Sequence, residues 1–125
     1  KFLDNGVPVG LASDVSGGNS LSISKVMAAA VQASKMKWLE SNRELQALTS
    51  SEAFFLGTKG GGSFFGRVGS FEKDYEFDAL IIDDSDLSSI NKLSLEERIQ
   101  KFIYAGDDRN IIARYVQGRK ILEPK

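Results

Sequence analysis

The residue best placed to do chemistry is Asp14, in the stretch Ser13-Asp14-Val15-Ser16-Gly17-Gly18. It stands just past an unbroken apolar run, Val7-Pro8-Val9-Gly10-Leu11-Ala12. α/β enzymes put catalytic groups at the C-terminal ends of such strands. Gly17 and Gly18 would let a backbone come close to a ligand. An Asx-turn or a helix cap is the plainer reading of the same residue, and spacing alone favours it. A second feature is Thr58-Lys59-Gly60-Gly61-Gly62-Ser63, where Lys beside glycines suggests a phosphate cradle. The order is wrong for a P-loop, whose glycines precede the Lys and open a helix. This stretch reads as a helix stop. Third come Asp83, Asp84 and Asp86, with Asp107 and Asp108 further on. Adjacent carboxylates could bind a hard cation, but EF-hand spacing is lacking, and strand-end turns and solvated loops explain them better. Arg67, Arg109 and Arg114 are possible anion contacts, although scattered arginines usually form surface or structural ion pairs.

The residue types that are missing narrow the chemistry further. The 125 residues hold no Cys and no His. Thiol chemistry is thereby excluded, as are the usual general acid/base and the commonest metal ligand. Zinc chemistry would have to rest on carboxylates, whereas catalytic zinc draws mainly on His and Cys. Sixteen Lys+Arg against seventeen Asp+Glu give a net charge of −1. That excludes a broadly basic nucleic-acid binder and a polybasic membrane binder. No run approaches the roughly 18 apolar residues of a membrane span, and no signal peptide is visible. The expected class is a soluble, cytoplasmic chain of one ordinary domain's length.

Several elements must position these residues. Lys1 to Gly6 reads as the last turn of a helix with Gly6 as its stop, and a start at Lys1 rather than Met implies a missing natural N-terminus. Val7 to Ala12 reads as a parallel strand buried on both faces. Ser22 to about Leu39 reads as a helix, with Ile23, Val26, Met27, Ala30 and Val31 on one face. Strand, polar loop and helix form the grammar of a (β/α) unit. Thr49 and Glu52 have capping-box spacing, with Ala53-Phe54-Phe55-Leu56 as the buried face and Gly60-Gly61-Gly62 as the end. After Arg67 the grammar changes. Phe77 to Ile82 reads as a strand, and Ser94 with Glu97 caps a helix running to Gly106. Ile111 to Leu122 reads as a hairpin around Gln117-Gly118.

At this point the residues resemble a family. Gly10-Leu11-Ala12-Ser13-Asp14-Val15-Ser16-Gly17-Gly18 resembles the loop after the eighth barrel strand in guanine deaminases of the amidohydrolase superfamily. Glu52-Ala53-Phe54 through Thr58-Lys59-Gly60-Gly61 resembles the helix that follows. Gly69-Ser70-Phe71-Glu72 with Phe77-Asp78-Ala79 is similar to the superfamily's return to its small β domain. Lys101-Phe102-Ile103-Tyr104-Ala105-Gly106-Asp107-Asp108-Arg109-Asn110-Ile111 resembles guanine deaminases rather than amidohydrolases at large, and the Tyr115 to Lys120 hairpin also matches. Asp74 stands where relatives usually have glycine, and Asp tolerates the left-handed conformation better than most residues.

The resemblance implies a zinc- or iron-dependent (β/α)8 hydrolase that converts guanine and water to xanthine and ammonia, with bound metal lowering the pKa of water. It maps the family's last-strand aspartate onto Asp14, as metal ligand and as base. It also implies a homodimer that takes a small-molecule purine base as substrate. A barrel needs roughly 200 residues or more, and the family's histidines and catalytic glutamate are absent. The expected fold is therefore α/β. Residues 1–66 form the C-terminal end of the barrel, and 67–125 form part of a small β-sandwich-like domain with one helix and a terminal hairpin. Alone, the chain is expected to bind no catalytic metal and to be inactive. A lone barrel strand exposes two edges, so the chain is expected to pair with itself or rearrange. Two alternatives stay open: a stand-alone binding or assembly module, and another aminated heterocycle as substrate.

Overall fold

Ile23–Glu40 forms the longest helix, α1, in the computed structural model, which describes residues 3–87 and 89–121. Neither Gly nor Pro interrupts its 18 residues, and its alanines favour the helical state. Met27 and Val31 of the expected face are buried, together with Ala28, while Ile23, Val26 and Ala30 are half-buried. The helix ends where Asn42 and Arg43 turn left-handed (φ +52° and +67°) and the Arg43 N–H returns to the Trp38 carbonyl at 2.9 Å. The Arg43 guanidinium then lies 5.2 Å from the centroid of the Trp38 ring.

Ser50–Phe55 forms α2, opened by the Thr49/Glu52 capping box. The Glu52 N–H donates to Thr49 Oγ1 at 3.2 Å, and the Thr49 N–H donates to Glu52 Oε2 at 2.7 Å. Ala53 and Leu56 are buried, whereas Phe54 and Phe55 are largely exposed. The helix widens into a π turn, Leu56–Gly60, stays helical at Gly61 (φ −64°, ψ −41°) and ends at Gly62, the last of the three glycines expected to stop it. Gly60 also permits close packing.

Residues 7–12 also depart from expectation. They form no strand among the described residues, and Val7 and Ala12 are exposed. The segment's backbone is anchored by the Leu11 N–H, which donates to the Leu56 carbonyl at 3.0 Å. An apolar run specifies burial, but a strand also needs a neighbouring ladder, and no described strand lies beside this one. Upstream, Leu3 to Gly6 is a turn closed by the Gly6 N–H on the Leu3 carbonyl at 3.0 Å, with Gly6 at φ +66°. Lys1 and Phe2 of the expected helix end lie outside the described residues.

The sheet among the described residues is antiparallel, in the order β1-β2-β3. It joins β1 (Ala79–Ile82), β2 (Ile111–Val116) and β3 (Arg119–Lys120). Ala79 pairs with Tyr115, and the register shifts between Ile81 and Ile82. Gln117 and Gly118 both take positive φ (+50° and +74°), as a two-residue hairpin turn requires. The hairpin thus stands as expected, although Leu122 lies outside the described residues.

Between β1 and β2 runs α3, Leu95–Ala105, with its Ser94/Glu97 capping box in place. Ile103 of α3 shares one buried cluster with Met27, Ala28, Val31 and Ala53. This cluster crosses the boundary expected at residue 66. Lys25 Nζ reinforces it by donating to the Gly106 carbonyl at 2.8 Å, which places a cation at the C-terminal end of α3. The bidentate Arg98–Asp84 pair (2.7 and 2.8 Å) ties α3 to the loop after β1. No described helix is long and apolar enough to cross a membrane.

Ala53 is 0% exposed at the centre of the cluster, so Ala53→Leu must overpack it. We expect a loss of about 1–3 kcal/mol. Thr49→Ala removes one cap and should lose about 1 kcal/mol. Urea unfolding followed by far-ultraviolet circular dichroism checks both, and midpoints equal to the parent's would contradict the packing described.

Candidate functional site

The loop after residue 12 closes on itself around Asp14. The Asp14 carbonyl accepts the N–H groups of Gly17 (2.8 Å) and Gly18 (2.5 Å). To do so, Asp14 takes φ +45° and Ser16 φ +74°. Asp adopts the left-handed region more readily than most residues, and such conformations cluster at functional sites. The two glycines serve this closure. A Cβ on Gly17 would lie 2.6 Å from Asp14 Oδ2, and one on Gly18 would collide with the Ser13 carbonyl. The backbone makes the turn, and Ser22 rather than Asp14 occupies the cap position of α1. Among the described residues no hydrogen bond reaches the Asp14 carboxylate, which is exposed. The Asx-turn and helix-cap readings therefore do not describe it.

Behind this loop lies the π turn. A Cβ on Gly10 would stand 2.7 Å from Gly61 Cα, and one on Gly60 would stand 3.0 Å from the Val9 carbonyl, so two backbones nearly touch here. Lys59, in the same turn, is held by Glu72 at 2.5 Å and lies 5.5 Å from the centroid of the Tyr75 ring. The hydrogen bond between them pushes Lys59 above the usual lysine pKa and Glu72 below the usual carboxylate range. Lys59 thus anchors the turn to the 69–75 segment rather than cradling phosphate. Asp74 takes φ +68° in that segment, the left-handed conformation expected of it.

Comparison with known proteins fits this geometry. Residues 1–121 match the amidohydrolase family model. The chain belongs to the amidohydrolase family. It is 38% identical over 128 residues to guanine deaminase from Dictyostelium discoideum, covering 97% of this chain and 28% of that protein. Guanine deaminase from Homo sapiens is 37% identical over 133 residues, covering 98% of this chain and 29% of that protein. A crystal structure of guanine deaminase from C. acetobutylicum, with guanine bound in its active site, superposes with a TM-score of 0.91 at 53% identity. That match covers 97% of this chain and 29% of the other. The amidohydrolase chain thus spans under a third of the length of these relatives, and its resemblance to guanine deaminases is established.

The remaining sequence candidates are dispersed in this amidohydrolase chain. Asp84 pairs with Arg98, whose hydrogen bonds hold its carboxyl below the usual range. Asp83 accepts the Ser85 N–H at 3.0 Å, and Asp86 accepts from Asn110 Nδ2 at 2.6 Å. Arg67 faces Asp74 at 3.6 Å. Arg114 lies in β2 opposite Leu80. Among the described residues no three His, Cys, Asp or Glu gather as a metal site. Asp14 is a single oxygen donor in its loop, short of the three protein ligands of a catalytic zinc. Among the described residues the geometry therefore does not amount to a metal centre. Sequence reasoning missed the π turn and the Lys59–Glu72 pair, whose partners are 13 residues apart with no spacing rule to announce them.

Asp107 gives a pH-dependent test. Hydrogen bonds from Arg109 lower its pKa from 3.8 to about 2. A depressed folded-state pKa means stability that is complete above the unfolded value and lost as pH falls through the folded one. Stability should therefore decline between about pH 4 and pH 2, and Asp107→Asn should flatten that part of the curve. Urea midpoints measured against pH check this, and parallel curves for parent and variant would refute it.

Proposed function

We propose that this chain is the Asp14-bearing portion of a guanine-deaminase-like hydrolase, and that the complete enzyme converts guanine and water to xanthine and ammonia. The superposition on a guanine deaminase solved with guanine in its active site, at TM-score 0.91 over 97% of this chain, carries the reading. In the complete enzyme residues 7–12 gain the neighbouring strands they lack here and become the last strand of the barrel. The segment after residue 66 joins the small β domain, and the enzyme is a homodimer. A zinc or iron ion there supplies Lewis acidity and a lowered pKa for water.

What this chain contributes is one carboxylate in a fixed place. Asp14 would offer an oxygen to the metal, alongside ligands from outside the chain. Its carboxylate would also take the proton from the attacking water and pass it to the departing amine, which leaves as ammonia. The exposure of Asp14 and the tight backbone turn beneath it suit this role. With no His and no Cys, the 125-residue chain alone releases no ammonia.

The test is ammonia release from guanine by the complete protein. Asp14→Ala and Asp14→Asn should each reduce turnover by on the order of 10²–10⁴. Ser16→Ala should reduce it far less. Near-parent turnover in Asp14→Ala would overturn the assignment of Asp14. Release from another aminated heterocycle, with none from guanine, would move the substrate. No release from either would favour a binding or assembly module.

A further inference from the structure

Asp14 can act as a base and a ligand only if its carboxylate is held to within a fraction of an ångström, and its own turn is a local one that fixes shape but not position. Its hydrogen bonds run to Gly17 and Gly18, three and four residues away. The fixed point upstream is the crossing of residues 9–11 over the π turn. We infer that Gly10 is a positioning residue for Asp14, an inference that rests on the deaminase reading above.

Three observations carry it. First, the crossing is backbone on backbone. A Cβ added at Gly10 would lie 2.7 Å from Gly61 Cα and 3.3 Å from Gly61 N. Second, the crossing is locked by a shared acceptor. The Leu56 carbonyl takes the Gly61 N–H of the widened turn and also the Leu11 N–H at 3.0 Å. Third, the floor cannot retreat. On its far side Gly57 lies against Met27 and Ile23 of α1, so closely that a Cβ there would collide with the Met27 side chain. Met27 is itself 5% exposed, and Lys59 pins the same turn to Glu72.

A side chain at position 10 must therefore lift the 9–11 segment rather than depress the turn. Carbon atoms in contact sit about 3.5–4.0 Å apart, so the lift is about 1 Å. It would break the Leu11–Leu56 bond and carry Asp14 with it. Gly10 has no positive φ, so alanine there tests space and not backbone conformation.

The experiment uses the complete enzyme with guanine as substrate. Gly10→Ala should lower kcat by up to about 100-fold, a loss that a 1 Å misplacement can cause, while leaving KM unchanged. A purely structural role would reduce the folded fraction without this split, so activity is normalised to folded protein from melting curves. Gly60→Ala is the milder partner. Gly60 ends the π turn, and its added Cβ would lie 3.0 Å from the Val9 carbonyl, a gentler push on the same segment, so kcat should fall less. If Gly10→Ala does not fold, Gly60→Ala decides. Reduced kcat at unchanged KM supports the role, and parent kcat overturns it. Parent kcat in Gly10→Ala alongside an inactive Asp14→Ala removes the positioning role alone. Turnover retained in Asp14→Ala removes the deaminase assignment of Asp14 and the positioning role together.

Discussion

Two stretches of backbone meet without side chains between them where residues 9–11 cross the turn at 56–61, and the place of the Asp14 loop depends on that contact. Close approach requires the absence of a Cβ on both sides, which Gly10 and Gly60 supply. It also requires a free acceptor. A regular α-helix uses each interior carbonyl for the N–H four residues on. The π turn re-aims this one, and the Leu56 carbonyl reaches both Gly61 and Leu11. The price of the arrangement is a weaker helix, since glycines disfavour the helical state by about 1 kcal/mol each relative to alanine. The Thr49/Glu52 capping box and the burial of Ala53 and Leu56 offset part of that loss at the other end of the same helix.

The packing is uneven. Met27, Val31, Ala53 and Ile103 form a tight cluster among three helices. Elsewhere large apolar side chains face outward, with Leu21, Phe65, Phe71 and Ile112 between 58% and 86% exposed. Exposed apolar surface, where it is contiguous, marks a place where something else packs. On the deaminase reading, that surface belongs to the enzyme outside this chain, which makes up the larger share of the relatives' length. The apolar run at 7–12 then has a consistent meaning: its composition is written for a buried strand whose neighbours lie in that remainder.

Features set by local chemistry were legible in the sequence. The two capping boxes, the left-handed Asp74 and the Gln117-Gly118 hairpin each depend on residues a few positions apart, and each stands as read. Features set by distant partners were not legible. The glycines after Lys59 read as a stop, and the helix does end at Gly62, but their neighbours Val9 and Gly10, some 50 positions upstream, could not be read locally. For the same reason α3 could be recognised as a helix but not placed against α1, since the contact of Lys25 with Gly106 spans 81 positions. Asp14 was singled out by its place after an apolar run. Its side chain could not be separated from an ordinary turn former until the backbone was seen to make the turn.

That separation bears on which acid in the chain can do chemistry. A carboxylate already holding an N–H has fewer lone pairs to offer and a lowered affinity for a proton. Asp83, Asp84, Asp107, Glu52, Glu72 and Glu97 all sit below their usual pKa because hydrogen-bond donors already occupy them. Asp86 is engaged by the buried Asn110. These pairs are exposed or half-exposed, so they orient their segments more than they stabilise the fold. Each also withdraws an acid from reaction. The loop at residues 13–18 does the opposite: it satisfies its turn with a carbonyl and leaves the side chain uncommitted. Most of the described acidic side chains are thus engaged by a donor, whereas at Asp14 the backbone makes the turn and the carboxylate holds no hydrogen bond among the described residues.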